Sequence, residues 1–160
     1  MRRARQPLLL LVLLATLLFT RTGCSGPSGQ ELIGAAIQGD AAAVQTLLDA
    51  GADVNAKDNM EGRTALLWAA SNGHADTVQV LLGAGANVEA QVKDNDEDKE
   101  GRTALILAAV GGHTTILRAL IEAGADINAK TKNGVTALMA ARVLGHTEVV
   151  VILRKAGAEE

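Results

Sequence analysis

Three groups of residues in this chain have the types and spacing to do chemistry. His74, His113 and His146 recur along the sequence, Asp94, Asp96 and Asp98 alternate within one acidic segment, and Cys24 is the single cysteine. Three imidazoles could share a metal ion if the fold brought them together. Alternating carboxylates suit a hard cation such as calcium, which takes oxygen ligands from positions one, three and five of its loop. That match fails further on, because Lys99 stands where the loop needs a sharp-turn glycine and Leu105 where a bidentate glutamate would close the site. A lone cysteine permits no intramolecular disulfide. No serine or cysteine is accompanied by a recognisable base and orienting partner, and no glycine-rich phosphate loop follows a strand. No catalytic, cofactor-binding or assigned metal residue emerges, and the chain reads as a non-enzyme.

The elements that carry these residues repeat. Gly51-Ala52-Asp53-Val54-Asn55-Ala56 recurs at Gly85 and Gly124 and in shortened form as Gly157-Ala158-Glu159, at spacings of 34, 39 and 33 residues. A second block, Arg63 to His74, recurs as Arg102 to His113 and Val135 to His146 with Thr, Leu, Ala, Gly and His in step. Thr64, Thr103 and Thr136 precede alanine-rich apolar runs, where a hydroxyl can cap a helix start. Gly73, Gly112 and Gly145 suit the left-handed turn that ends that helix. A second helix with apolar residues at helical spacing then runs to the next Gly-Ala-Asp turn. The histidines open these second helices, one per unit, so they lie about a repeat apart and do not converge on one metal; their reading is structural. Paired alanines such as Ala69-Ala70 and Ala108-Ala109 permit close helix approach, and since no unit can bury its stripe alone, the copies must stack.

This pattern resembles the ankyrin repeat, a short β-hairpin finger followed by two antiparallel helices. The resemblance implies an all-α repeat solenoid of four stacked ankyrin repeats over residues 30–160, divided at 30–62, 63–101, 102–134 and 135–160. It departs from the family's Thr-Pro-Leu-His opening: Ala65, Ala104 and Ala137 replace proline, and Leu67, Ile106 and Met139 replace histidine. More of the stability then falls on apolar contact. Arg154 answers Leu48, Leu82 and Ile121, and Arg142 answers Ala36, Ala70 and Ala109, which predicts a solvated outer face on the last repeat. Val151 runs the other way, against Gln45, Gln79 and Arg118, as an isolated exposed valine or a small contact patch.

At the N-terminus, Arg2, Arg3 and Arg5 precede an apolar run from Leu8 to Phe19, which reads as a secretory signal over residues 1–23. The run is too short for an ordinary membrane span of roughly 20 residues. Gly23 and Thr22 before Cys24 resemble the end of a bacterial lipoprotein signal, although Arg21 stands where that family has an aliphatic residue. The resemblance implies lipidation at Cys24, with residues 24–29 as a short linker; plain cleavage near Cys24 to Gly26, or an uncleaved anchor, are the other readings. The expectation is an exported, membrane-anchored lipoprotein at the periplasmic or cell surface, secreted if not lipidated.

Four of the 15 basic residues precede Cys24, leaving 11 against 18 acidic ones, so the exported portion is acidic. Without a Lys/Arg cluster, and with one tryptophan, one phenylalanine and no tyrosine, nucleic acid is excluded as a partner. The ankyrin resemblance implies instead an unidentified protein partner, bound by finger tips and the exposed end of each first helix. Those positions are Lys57, Asn59, Met60 and Arg63, Arg102, Thr131, Lys132 and Val135 on the fingers, and Ser71, Asn72, Val110, Gly111, Val143 and Leu144 on the helices. Trp68, the sole tryptophan, is expected to pack between helices. Two alternatives stand beside the binding module: a calcium-binding exported protein using residues 94–100 as its acidic finger, and an inhibitor or accessory subunit of an exported enzyme.

Overall fold

The structure, a computed structural model, describes residues 27–93 and 99–159. The signal segment, Cys24, and Asp94, Asp96, Glu97 and Asp98 lie outside the described residues. Among the described residues, eight helices form four antiparallel pairs: α1 (Gly29–Gln38) with α2 (Ala41–Asp49), α3 (Ala65–Asn72) with α4 (Ala75–Gly83), α5 (Ala104–Gly111) with α6 (Thr114–Glu122), and α7 (Ala137–Val143) with α8 (Thr147–Lys155). Each first helix packs on the next first helix and each second helix on the next second helix, giving two parallel rows.

The predicted starts and stops are made by the predicted residues. Thr64, Thr103 and Thr136 hydroxyls accept the amides of Leu67, Ile106 and Met139 at 3.4, 3.4 and 3.2 Å. Gly73 and Gly112 turn the chain with φ of 82° and 70°, a backbone that side-chain-bearing residues rarely adopt. Ala69, Ala70, Ala108 and Ala109 are fully buried, because a larger side chain at the helix crossing would force the repeats apart.

The histidine column explains why the repeats hold their spacing. Asp40, in the first repeat, caps its own helix by accepting the Ala43 amide at 2.9 Å. His74, His113 and His146 occupy the same position without any such cap. Their Nε2 atoms lie instead 3.0, 3.4 and 3.0 Å from the carbonyls of Ile37, Ser71 and Val110 in the preceding repeat. Each ring also covers a glycine of that repeat: a Cβ on Gly39, Gly73 or Gly112 would come within 2.5, 2.7 or 2.9 Å of imidazole atoms, whereas one on Gly145 would meet nothing within 4 Å. A local helix cap is given up for a bond between repeats.

A second ladder runs through the loops. Asn55 Oδ1 accepts the Asn87 amide at 2.8 Å, Glu89 Oε1 the Asp126 amide at 2.9 Å, and Asn128 Oδ1 the Glu159 amide at 2.9 Å. The fingers are slighter than hairpins, each closed by one bridge: Lys57 with Thr64, Gln91 with Thr103, and Lys130 with Thr136. Adjacent fingers join through Lys93 N–H to the Glu61 carbonyl (3.0 Å) and Lys132 N–H to the Glu100 carbonyl (3.1 Å).

Candidate binding surface

The first finger is built on Asp58. One carboxylate oxygen accepts the Met60, Glu61 and Arg63 amides at 3.1, 2.8 and 3.4 Å, and the other accepts the Trp68 indole N–H at 2.8 Å. Partial burial opposes ionisation, but the indole bond and the amides of Glu61, Met60 and Arg63 outweigh it and hold the carboxyl below its ordinary range. The Arg63 guanidinium lies 4.5 Å over the Trp68 ring and its Nε pairs with Glu61. Trp68 is half-buried against the helical core, and its polar edge also fastens the finger to α3.

This arrangement sorts the residues expected at the surface. Lys57, Asn59 and Met60 project outward, Met60 being 92% exposed, but Arg63 is only 8% exposed because it braces the finger from beneath. Thr131 is likewise buried, its hydroxyl accepting the Val135 amide at 3.1 Å to shape the third finger. Arg102 is half-buried, while Lys132 is exposed and pairs with Glu100 at 2.6 Å. On the first helices, Asn72 and Gly111 are exposed and Ser71 and Val110 half-buried; Asn72 Nδ2 also donates to the Ile37 carbonyl at 3.1 Å. Val135, Val143 and Leu144 are all exposed.

Two exposed apolar residues were missed from sequence. Ile37 shares the column of Ser71, Val110 and Val143, so that column itself was the available signal. Met139 shares the column of Leu67 and Ile106, which are 0% and 1% exposed, yet it is 41% exposed because no following repeat covers it among the described residues. The outer face of the last repeat is therefore only partly the solvated cap expected from Arg142 and Arg154: Met139 and the half-buried Val150 share that repeat.

Nothing described assembles a reaction centre. Among the described residues no three His, Cys, Asp or Glu side chains are placed to hold a metal ion. No helix among them is long and apolar enough to cross a membrane. A family model described as Ankyrin repeats (3 copies) matches residues 14–94, 32–131 and 89–160. The chain belongs to the ankyrin-repeat family. No curated protein matches it at a significant level. Ankyrin repeats form protein-interaction modules, typically without catalysis.

Proposed function

We propose that this ankyrin-repeat chain is an exported, lipid-anchored module that grips another protein with its finger tips and the exposed ends of its first helices. The observation that carries the binding reading is the exposure of Lys57, Asn59, Met60, Asn72, Lys132, Val135, Val143 and Leu144 on an otherwise regular framework. Such side chains bury little within the repeats and offer area to a partner. Export and anchoring rest on the basic start, the apolar run and Cys24. Several acyl chains would hold the protein stably where one would be marginal. Residues Ser25–Ser28, before α1 begins at Gly29, extend at most about 3.3–3.6 Å each, so the repeats would work within roughly 15 Å of the bilayer.

Intact mass and detergent partitioning of the native protein, compared with Cys24→Ala, test the anchor. The expected result is a lipid-bearing chain beginning at Cys24, lost in the variant; an unmodified, freely soluble chain would leave a secreted binding module. Affinity capture with Met60→Glu and Val143→Glu variants tests the surface. Specific capture should fall while the helical circular dichroism is unchanged, and capture indifferent to both charges would refute binding by this face.

A further inference from the structure

Two asparagines of the chain are followed directly by glycine: Asn72 by Gly73 and Asn133 by Gly134. That pair has a chemistry of its own. A glycine amide nitrogen is unhindered by any side chain on its own Cα, so it can attack the preceding asparagine at Cγ and close a five-membered ring. The N–Cγ bond forms, the Cγ–Nδ2 bond breaks, and the attacking nitrogen's proton leaves with Nδ2 as ammonia, giving a succinimide. Water then adds to either ring carbonyl, and ring opening yields aspartate or isoaspartate. Solvent water is the one co-reactant.

The two pairs are alike in sequence and differ in what holds them. Asn72 closes α3, and its Nδ2 donates to the Ile37 carbonyl of the preceding repeat at 3.1 Å. The Gly73 N–H donates to the Ala69 carbonyl and ends the helix. The His113 ring lies over that glycine, 2.7 Å from where a Cβ would stand. Ring closure at Asn72 therefore requires the helix end to unwind, the bond between repeats to break and the imidazole to move. Asn133 and Gly134 stand at the turn of the third finger, both exposed, with exposed Lys132 and Val135 on either side. Apart from its chain neighbours, nothing lies within 4 Å of where a Cβ on Gly134 would stand. Its N–H donates to the Thr131 carbonyl at 2.9 Å, inside a finger closed by the Lys130–Thr136 bridge. Releasing that bond leaves every helix intact, and exposed loops open at far lower free energy than packed helices.

We propose that Asn133 is a site of spontaneous deamidation, at which the third finger ages from asparagine to aspartate and isoaspartate while the stack protects Asn72. Either product places a carboxylate beside Lys132 where the chain had a neutral amide. Isoaspartate also adds a methylene to the main chain, within the turn where Thr131 accepts the Gly134 and Val135 amides. Charge and shape thus change together beside Lys132 and Val135. The chemistry of the site is independent of any partner, whereas its effect on recognition rests on the proposed binding surface.

The test is to incubate the native protein at mildly alkaline pH and follow both asparagines by tryptic peptide mass, with isoaspartyl methyltransferase labelling to identify isoaspartate. A parallel sample is held in guanidinium chloride. In the native protein Asn133 should convert at least about tenfold faster than Asn72, and unfolding should bring the two rates close together by speeding Asn72. Asn133→Gln, whose longer side chain would have to close a six-membered ring, should lose the signal from that peptide and keep the helical circular dichroism. Conversion of native Asn133 no faster than that of Asn72 would overturn the proposal. An equally large preference in denaturant would also overturn it, because the fold would then protect nothing. No partner is needed, so this result and that of affinity capture stand or fall separately.

Discussion

The middle repeats and the last repeat use one framework to opposite ends. Thr64, Thr103 and Thr136 cap their helices alike, yet the residue three positions on is fully buried as Leu67, 1% exposed as Ile106 and 41% exposed as Met139. Gly73 and Gly112 lie beneath the imidazoles of His113 and His146, while Gly145 has open space above it. The comparison teaches that a position in a stack is defined by the repeat that follows it as much as by its own helix. The same column supplies core in the middle and surface at the end.

Paired substitutions across the column would break this comparison most sharply. Leu67→Ala should cost about 3 kcal/mol of unfolding free energy, since it empties a buried site. Met139→Ala should cost under about 1 kcal/mol, because much of its area is already in water. Equal losses in chemical denaturation would show that the last repeat is covered after all.

The glycines sharpen the point at smaller scale. Gly73→Ala must bear both an unfavourable positive φ and a clash with the His113 ring, together about 2–3 kcal/mol. Gly145→Ala bears only the φ cost, about 1 kcal/mol. A smaller difference between them than about 1 kcal/mol would mean that the histidine packs loosely and contributes little to repeat spacing.

Thr77 and Asp58 test finer differences. Thr77 is fully buried in the column of Ile116 and Val149, and its hydroxyl has no hydrogen-bond partner. Thr77→Val should therefore raise stability by about 1 kcal/mol, and a loss would reveal a partner for that oxygen. Asp58 has a lowered folded-state pKa, so its contribution is present above the unfolded value and is lost as pH falls through the folded one. Trp68 fluorescence should report the first finger loosening below about pH 4, and Asp58→Asn should shift or abolish that change. A pH-independent signal from the wild type would refute the anchoring role of the carboxylate.

The framework was legible because repeats can be compared with one another: caps, turns and alanine pairs recur in step and each implies its own geometry. Individual surface positions were less so. Arg63 and Thr131 fall in columns that are polar or variable, but their burial goes with particular partners, Trp68 and Glu61 for the first and the Val135 amide for the second. The exchange of Asp40 for histidine was visible as letters only; its meaning, a helix cap traded for a bond to the preceding repeat, required the distances. The exposure of Met139 was not legible, because a column shows what is usually buried and not where burial stops.

Oxidation by dilute peroxide, followed by peptide mass analysis, tests the contrast between middle and last repeats most directly, because Met60 and Met139 are the only methionines in the repeats and report the first finger and the last repeat. In the free native protein both should react readily, Met60 faster, in line with exposures of 92% and 41%. A Met139 inert in the free protein would contradict its exposure in the last repeat, and Leu67 and Ile106 would then be no different from it in surroundings.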